Sequence, residues 1–250
     1  MGAMASKTDR RTMERILHLL EGEYGKRPLR RWGRAVPVLV ETILSQNTSN
    51  RNSAAGYRIL RRTFKTWDAV ADAPVEQVER AIRISGLSNI KAPRIQQILR
   101  QNRSAHGKID LEFLKEWSTE EAMAYLRAFV GVGPKTANCV LLFSFGMPLF
   151  PVDTHIHRIA LRMGLIPEKA SAERAHDLLV DAIAPAERYA MHVLLVEHGR
   201  KVCKAGRPRC EECVLLKMCP TGRLRVGDAP NKRRRVSEGR IVLSRTHRDR

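Results

Sequence analysis

A chain of 250 residues with 43% hydrophobic content is long enough for one or two domains around a substantial core, and no run in it approaches the roughly 18 apolar residues of a membrane span. The formal net charge of +19 is more than a solvated surface requires and points to a polyanionic partner. Aromatics make up only 5% of the residues, too few for a single-strand platform with one ring per base, so duplex nucleic acid gripped through its phosphates is the expected partner.

Met1-Gly2-Ala3-Met4 reads as a cloning remnant ahead of an authentic start, and the N-terminus has no charged-then-apolar secretory pattern. From there the periodicity is helical almost throughout. Arg11 to Tyr24 places Ile16, Leu19 and Leu20 on one face; Val36 to Ser45 is an apolar stretch, and Asn52 to Phe64 follows it. Val75 to Ile84 and Asn89 to Gln101 come next, and Ser118 with Glu121 forms a capping-box signature ahead of Ala122 to Val130. Lys135 to Phe145, Thr154 to Met163, Ala172 to Ile183 and Ala186 to His198 complete the set. No clean period-two alternation precedes the C-terminal tail, so the expected fold class is all-α, with about ten helices.

Phe129-Val130-Gly131-Val132-Gly133-Pro134-Lys135-Thr136-Ala137 joins two of these helices through a tight turn. The glycines permit positive φ and close backbone approach, Pro134 suits a first helical turn, and the free N–H groups beyond it form a ready phosphate site. A P-loop is excluded because Pro134 stands directly before the lysine, and a dinucleotide fingerprint because Thr136 stands where its third glycine belongs. An ordinary helix-turn-helix junction fits the spacing equally well. Lys135, however, sits against the positive end of a helix dipole, which destabilises its ammonium form and favours a nucleophilic amine. Further on, Pro151-Val152-Asp153-Thr154-His155 opens another helix. Asp153 reads either as a helix cap or as a carboxylate facing the lysine across a cleft.

Cys203, Cys210, Cys213 and Cys219 stand as C-x6-C-x2-C-x5-C within 17 residues of basic loop sequence. So short a segment cannot bury four sulfurs in a core, and a metal centre is the economical explanation. A disulfide framework belongs to much smaller secreted domains. A zinc knuckle remains open, although only Cys210 and Cys213 form the short pair it usually uses; the spacing favours an iron–sulfur cluster. The remaining cysteine, Cys139, lies in an apolar helical run and reads as a small core residue. A reducing, cytoplasmic setting suits all five. Beyond Cys219, residues 221 to 250 hold ten Lys or Arg against three acids, a net of +7, densest at Lys232-Arg233-Arg234-Arg235. They read as a basic tail, with one weak strand signal at Ile241-Val242-Leu243.

The segment from Val130 to Ala137, the V-D-T-H of Val152 to His155 and the cysteine spacing together resemble the endonuclease III family, over roughly residues 10 to 220 and in consistent order. These are helix-hairpin-helix DNA glycosylases with a [4Fe–4S] cluster. The resemblance implies two helical domains with the active-site cleft between them. One is a helical barrel at 29–147 that carries the hairpin; the other, at 5–28 plus 148–220, is the iron–sulfur domain, with 221–250 left as the tail. Lys135 becomes the Schiff-base nucleophile, Asp153 the catalytic carboxylate and the four cysteines the cluster ligands. Ile43 to Thr48, with Gln46 and Asn47, matches the loop that fills the gap left by an extruded base, and Gly86-Leu87 the turn whose apolar residue wedges into the opposite strand. Gly131, Gly133 and Thr136 of the hairpin are expected at the DNA, as are Lys204, Arg207 and Arg209 of the cysteine loop.

Three positions depart from the familiar pattern. Val130 stands where many members have Pro, Asn47 where the best-known member has Gln, and Arg127 where it has Glu; the last two bear on opposite-base preference and lesion choice. The implied activity is excision of oxidised pyrimidines with β-elimination at the abasic site. The implied partner is duplex DNA with damaged pyrimidines or abasic sites, met by a monomer that does not engage membranes and, in a prokaryote, associates with the nucleoid. Two alternatives stand beside it. A mismatch-specific adenine or thymine glycosylase of the same fold typically lacks the lysine, and a non-catalytic iron–sulfur DNA-binding protein would not need both Lys135 and Asp153.

Overall fold

The computed structural model describes residues 8–227. Among them are twelve α-helices and no strand. The first three are α1 (Arg10–Tyr24), α2 (Ala35–Leu44) and α3 (Asn50–Thr63), followed by α4 (Trp67–Asp72), α5 (Val75–Ile82) and α6 (Ser88–His106). Then come α7 (Thr119–Arg127), α8 (Pro134–Val140) and α9 (Thr154–Met163), and finally α10 (Ala172–Val180), α11 (Arg188–Lys201) and α12 (Pro220–Gly227). Ser118 and Glu121 make the complete reciprocal capping box ahead of α7.

The differences from the sequence-based expectation have local causes. The helix α4 is only six residues long, too short for a periodic stripe, although Thr66 caps it by accepting from the Ala69 N–H. The run expected as one helix to Phe145 changes at Leu141 into a single π-helical turn. Thr221 to Gly227, read as the start of the tail, instead belong to α12; Pro220 opens that helix, and Gly222 lets it sit against Leu216 and Cys219. The Lys232–Arg235 run, the Ile241–Leu243 strand signal and the Met1–Met4 segment lie outside the described residues.

Two apolar clusters organise the rest. One gathers Leu39, Ile43, Leu60, Ile95, Leu126 and Phe143 from the elements between α2 and the π turn. The other joins Ile16 and Leu20 of α1 to Ile156, Ile159, Leu179 and Leu194 of α9, α10 and α11. Each fully buried Ile or Leu stabilises its cluster by about 1.5–3 kcal/mol. The chain thus leaves the second cluster after α1, builds the first, and returns at Phe150. At the outward crossing the Trp32 N–H donates to the Phe143 carbonyl at 2.7 Å and the two rings stack at 3.6 Å. His192 of α11 lies edge-on to both Phe143 and Phe150 and so touches both clusters.

Candidate active site

The start of α8 and the start of α9 open on one cleft of about 620 Å³. Gly133 caps α8 and Pro134 occupies its first position, so Lys135 enters the cleft from the first turn. Asp153 caps α9: its Oδ1 accepts from the His155 and Ile156 N–H groups, both at 2.9 Å. Among the described residues Oδ2 has no hydrogen-bond partner, and Asp153 borders the cleft opposite the lysine's helix. Capping and cleft-lining therefore coexist in one carboxylate. Cys139, one helical turn beyond Lys135, is buried, and burial pushes its thiol up despite the nearby lysine. Burial thus disfavours the Cys139 thiolate, and two lysines, Lys135 and Lys201, border the same cleft, the second paired with Glu197.

His192 was not singled out by the sequence. Its Nδ1–H donates to the Pro151 carbonyl at 2.8 Å, holding the segment that delivers Asp153 and leaving Nε2 as the acceptor. Burial depresses its pKa from 6.5 to about 4, against the pull of Asp153. A histidine with a lowered folded-state pKa binds fewer protons than in the unfolded chain. Its contribution is therefore complete above pH 6.5 and is lost as pH falls toward 4. His192→Asn keeps a donor near Nδ1 but removes the titrating ring, so its thermal midpoint should fall less over that interval than the wild type's. Parallel pH curves would disprove this role for His192.

Two loops flank the cleft. Among the described residues, Asn47 (φ 52°) and Leu87 (φ 49°) are the non-glycine residues with positive φ, a strained conformation for leucine in particular. Both are exposed, Leu87 by 46%. Lys91 connects them: fully buried, its Nζ donates to the Leu44 carbonyl ahead of Asn47 and to the Ser85 carbonyl ahead of Leu87, each at 2.8 Å. Losing that ammonium would leave two buried carbonyls unpaired at once. Gln46 turns the other way and contacts the hairpin, its Nε2 reaching the Gly131 carbonyl at 3.5 Å and the Thr136 hydroxyl at 3.4 Å. Thr136 is buried, so any phosphate contact there comes through its backbone N–H. Gly131 is exposed at φ 80°, and a Cβ at that position would overlap the Arg94 side chain.

The four cysteines border a single small cavity with Arg162 and Gly222. Cys203 Sγ accepts from Arg162 at 3.2 Å and Cys219 Sγ from the Gly222 N–H at 3.3 Å, while His198 Nε2 lies 3.4 Å from Cys213 Sγ. Burial, with the other three cysteines adding to it, pushes the Cys213 thiol up to about 11. Four thiolates so placed need a compensating cationic centre. Yet among the described residues no three His, Cys, Asp or Glu side chains converge as ligands of one ion. Four soft sulfur donors bordering one cavity suit either zinc or an iron–sulfur cluster. Arg158 and Arg162 of α9 bind the backbone here, at the Cys203, Lys204 and Ala205 carbonyls. The helix capped by Asp153 thus also holds the cysteine loop. Lys204 and Arg207 point out from it, whereas Arg209 is engaged by the Lys201 carbonyl and Glu212.

Residues 40–185 match the family described as HhH-GPD superfamily base excision DNA repair protein. Endonuclease III of Thermotoga maritima is 34% identical over 200 residues, which cover 79% of this chain and 89% of that protein. This chain belongs to the endonuclease III family. A putative DNA glycosylase of Arabidopsis thaliana is 39% identical over 165 residues, 66% of this chain, which spans 56% of that relative's length. A solved endonuclease III in a non-covalent DNA complex superposes with a TM-score of 0.75 at 26% identity, covering 87% of this chain and 98% of that one. Membership in the endonuclease III family makes the chain one of the base excision DNA glycosylases and accounts for its helix-hairpin-helix fold.

Proposed function

We propose that the protein is a bifunctional DNA glycosylase and abasic-site lyase that removes oxidised pyrimidines from duplex DNA. The observation carrying this reading is that Lys135 and Asp153 line the same cleft, each at the start of its own helix. The target base must first leave the stack, at a cost of a few kcal/mol. Asn47 and Leu87, already in their strained conformations and held by Lys91, offset part of that cost by filling the vacated space. Lys135 Nζ, as a free amine, attacks C1′, and the glycosidic bond breaks with its electron pair leaving on the base. Asp153 stabilises the positive charge developing on the sugar and takes the proton that the lysine sheds. The ring then opens to an imine between Nζ and C1′. Loss of a C2′ proton from that imine expels the 3′ phosphate and cuts the strand.

Cys203, Cys210, Cys213 and Cys219 would hold the [4Fe–4S] cluster, whose chemistry here is four thiolate bonds that fix a loop. With that loop fixed, exposed Lys204 and Arg207 are presented to phosphates, and α9 is anchored behind Asp153. Anaerobically purified protein should contain about four irons per chain and absorb broadly near about 400 nm; stoichiometric zinc without iron would reject the cluster. Incubation with duplex carrying one abasic site, followed by borohydride, tests the lyase. A covalent adduct is expected, and its absence would leave a monofunctional glycosylase.

A further inference from the structure

Trp32 does more than mark the crossing between α1 and α2. Its ring lies nearly parallel to Phe143, at 14° and 3.6 Å, so one indole face is covered. The residue is nonetheless 57% exposed, and it borders the cleft that holds Lys135 and Asp153. Phe143 beneath it is buried and braced edge-on by Tyr189 and His192, so the stacked pair cannot tilt without disturbing both apolar clusters. A tryptophan that only pinned the crossing would gain from burying its second face as well. Here a rigid aromatic surface is kept open in a cleft, in a chain with only three tryptophans. The same cleft is lined by Glu41, Ser45 and Asn50 of the α2–α3 region, polar groups suited to the hydrogen-bonding edge of a base.

We infer that Trp32 is the platform on which the extruded base stacks, and that the cleft therefore favours flat, unsaturated pyrimidines over ring-saturated ones. A pyrimidine with an intact C5–C6 double bond, such as 5-hydroxyuracil, lies flat on an indole. Dihydrouracil and thymine glycol carry two sp³ carbons, pucker, and lift part of the ring away from the surface. The inference rests on the excision reading proposed above and narrows its substrate class.

Single-turnover excision of 5-hydroxyuracil and of dihydrouracil, each opposite the same base, provides the test in wild type, Trp32→Ala and Trp32→Phe. Wild type should remove the planar base faster. Trp32→Ala should slow that reaction by at least about tenfold, the loss expected for one base–aromatic stack. It should slow dihydrouracil removal less, and Trp32→Phe should recover most of the planar rate. Cleavage at a preformed abasic site, which carries no base to stack, should be slowed far less than planar excision. Equal slowing of both bases and of abasic-site cleavage would mean a purely structural tryptophan. An unchanged planar rate in Trp32→Ala, or faster removal of the saturated base by wild type, would also overturn the inference. The two readings fail separately: absent borohydride trapping counts against the lysine chemistry, while the planar-to-saturated ratio still reports on Trp32.

Discussion

Lys135→Gln should retain binding to damaged duplex and lose both borohydride trapping and strand cleavage. Glutamine keeps a polar side chain of similar reach in the first turn of α8, where Pro134 and the Gly133 cap set the backbone independently of the side chain. It has no lone-pair amine to join C1′. Both readouts require nitrogen bonded to that carbon, so both should vanish together, not fall in proportion. Two other candidates border the same cleft: burial keeps Cys139 a thiol, and the Lys201 ammonium is paired with Glu197 at 2.6 Å, so neither is expected to restore the adduct. Measuring duplex affinity on the same preparation separates chemistry from folding. Residual trapping in Lys135→Gln would show that another amine forms the imine and would overturn the assignment.

That Lys135 and Asp153 are candidate site residues was legible in the sequence because each sits in a short local motif, and the structure places both on one cleft. Glycines, Pro134 and Lys135 define a helix start within a few residues, as Asp153 does before Thr154. The cysteine spacing was legible for the same reason. What stayed hidden depends on residues distant along the chain. Trp32 meets Phe143 across the crossing between the two clusters, and His192 reaches the Pro151 carbonyl from α11. Lys91 reads as one more surface lysine on α6 until its ammonium is found between the Leu44 and Ser85 carbonyls. Arg158 and Arg162 look like the polar face of α9, yet they hold the backbone of the cysteine loop. In each case the local signal matched an ordinary solvated or core residue, and only tertiary placement gave it a partner. The strained φ of Leu87 was equally invisible, since Gly86 beside it supplies an adequate turn signal by itself.

Asp153→Asn should depress base excision strongly while leaving the protein folded. The structure makes the substitution unusually clean. One oxygen, Oδ1, makes both capping bonds to the His155 and Ile156 N–H groups, and asparagine can present its own Oδ1 to the same pair. What is lost is the negative charge that Oδ2 shares in the cleft. If that charge is preorganised to meet a sugar becoming positive at C1′, excision should fall by about a hundredfold or more. Cleavage at a preformed abasic site should suffer less, because its sugar carbonyl is already open to Lys135 and no base has to depart. Capping as the sole role of Asp153 makes the opposite forecast: a small change in thermal midpoint and near-normal excision per folded molecule. Thermal midpoint and single-turnover excision, read on one Asp153→Asn preparation, decide between them. Asparagine keeps a capping oxygen and removes the charge, so capping strength and the proposed catalytic charge can be separated by this one substitution.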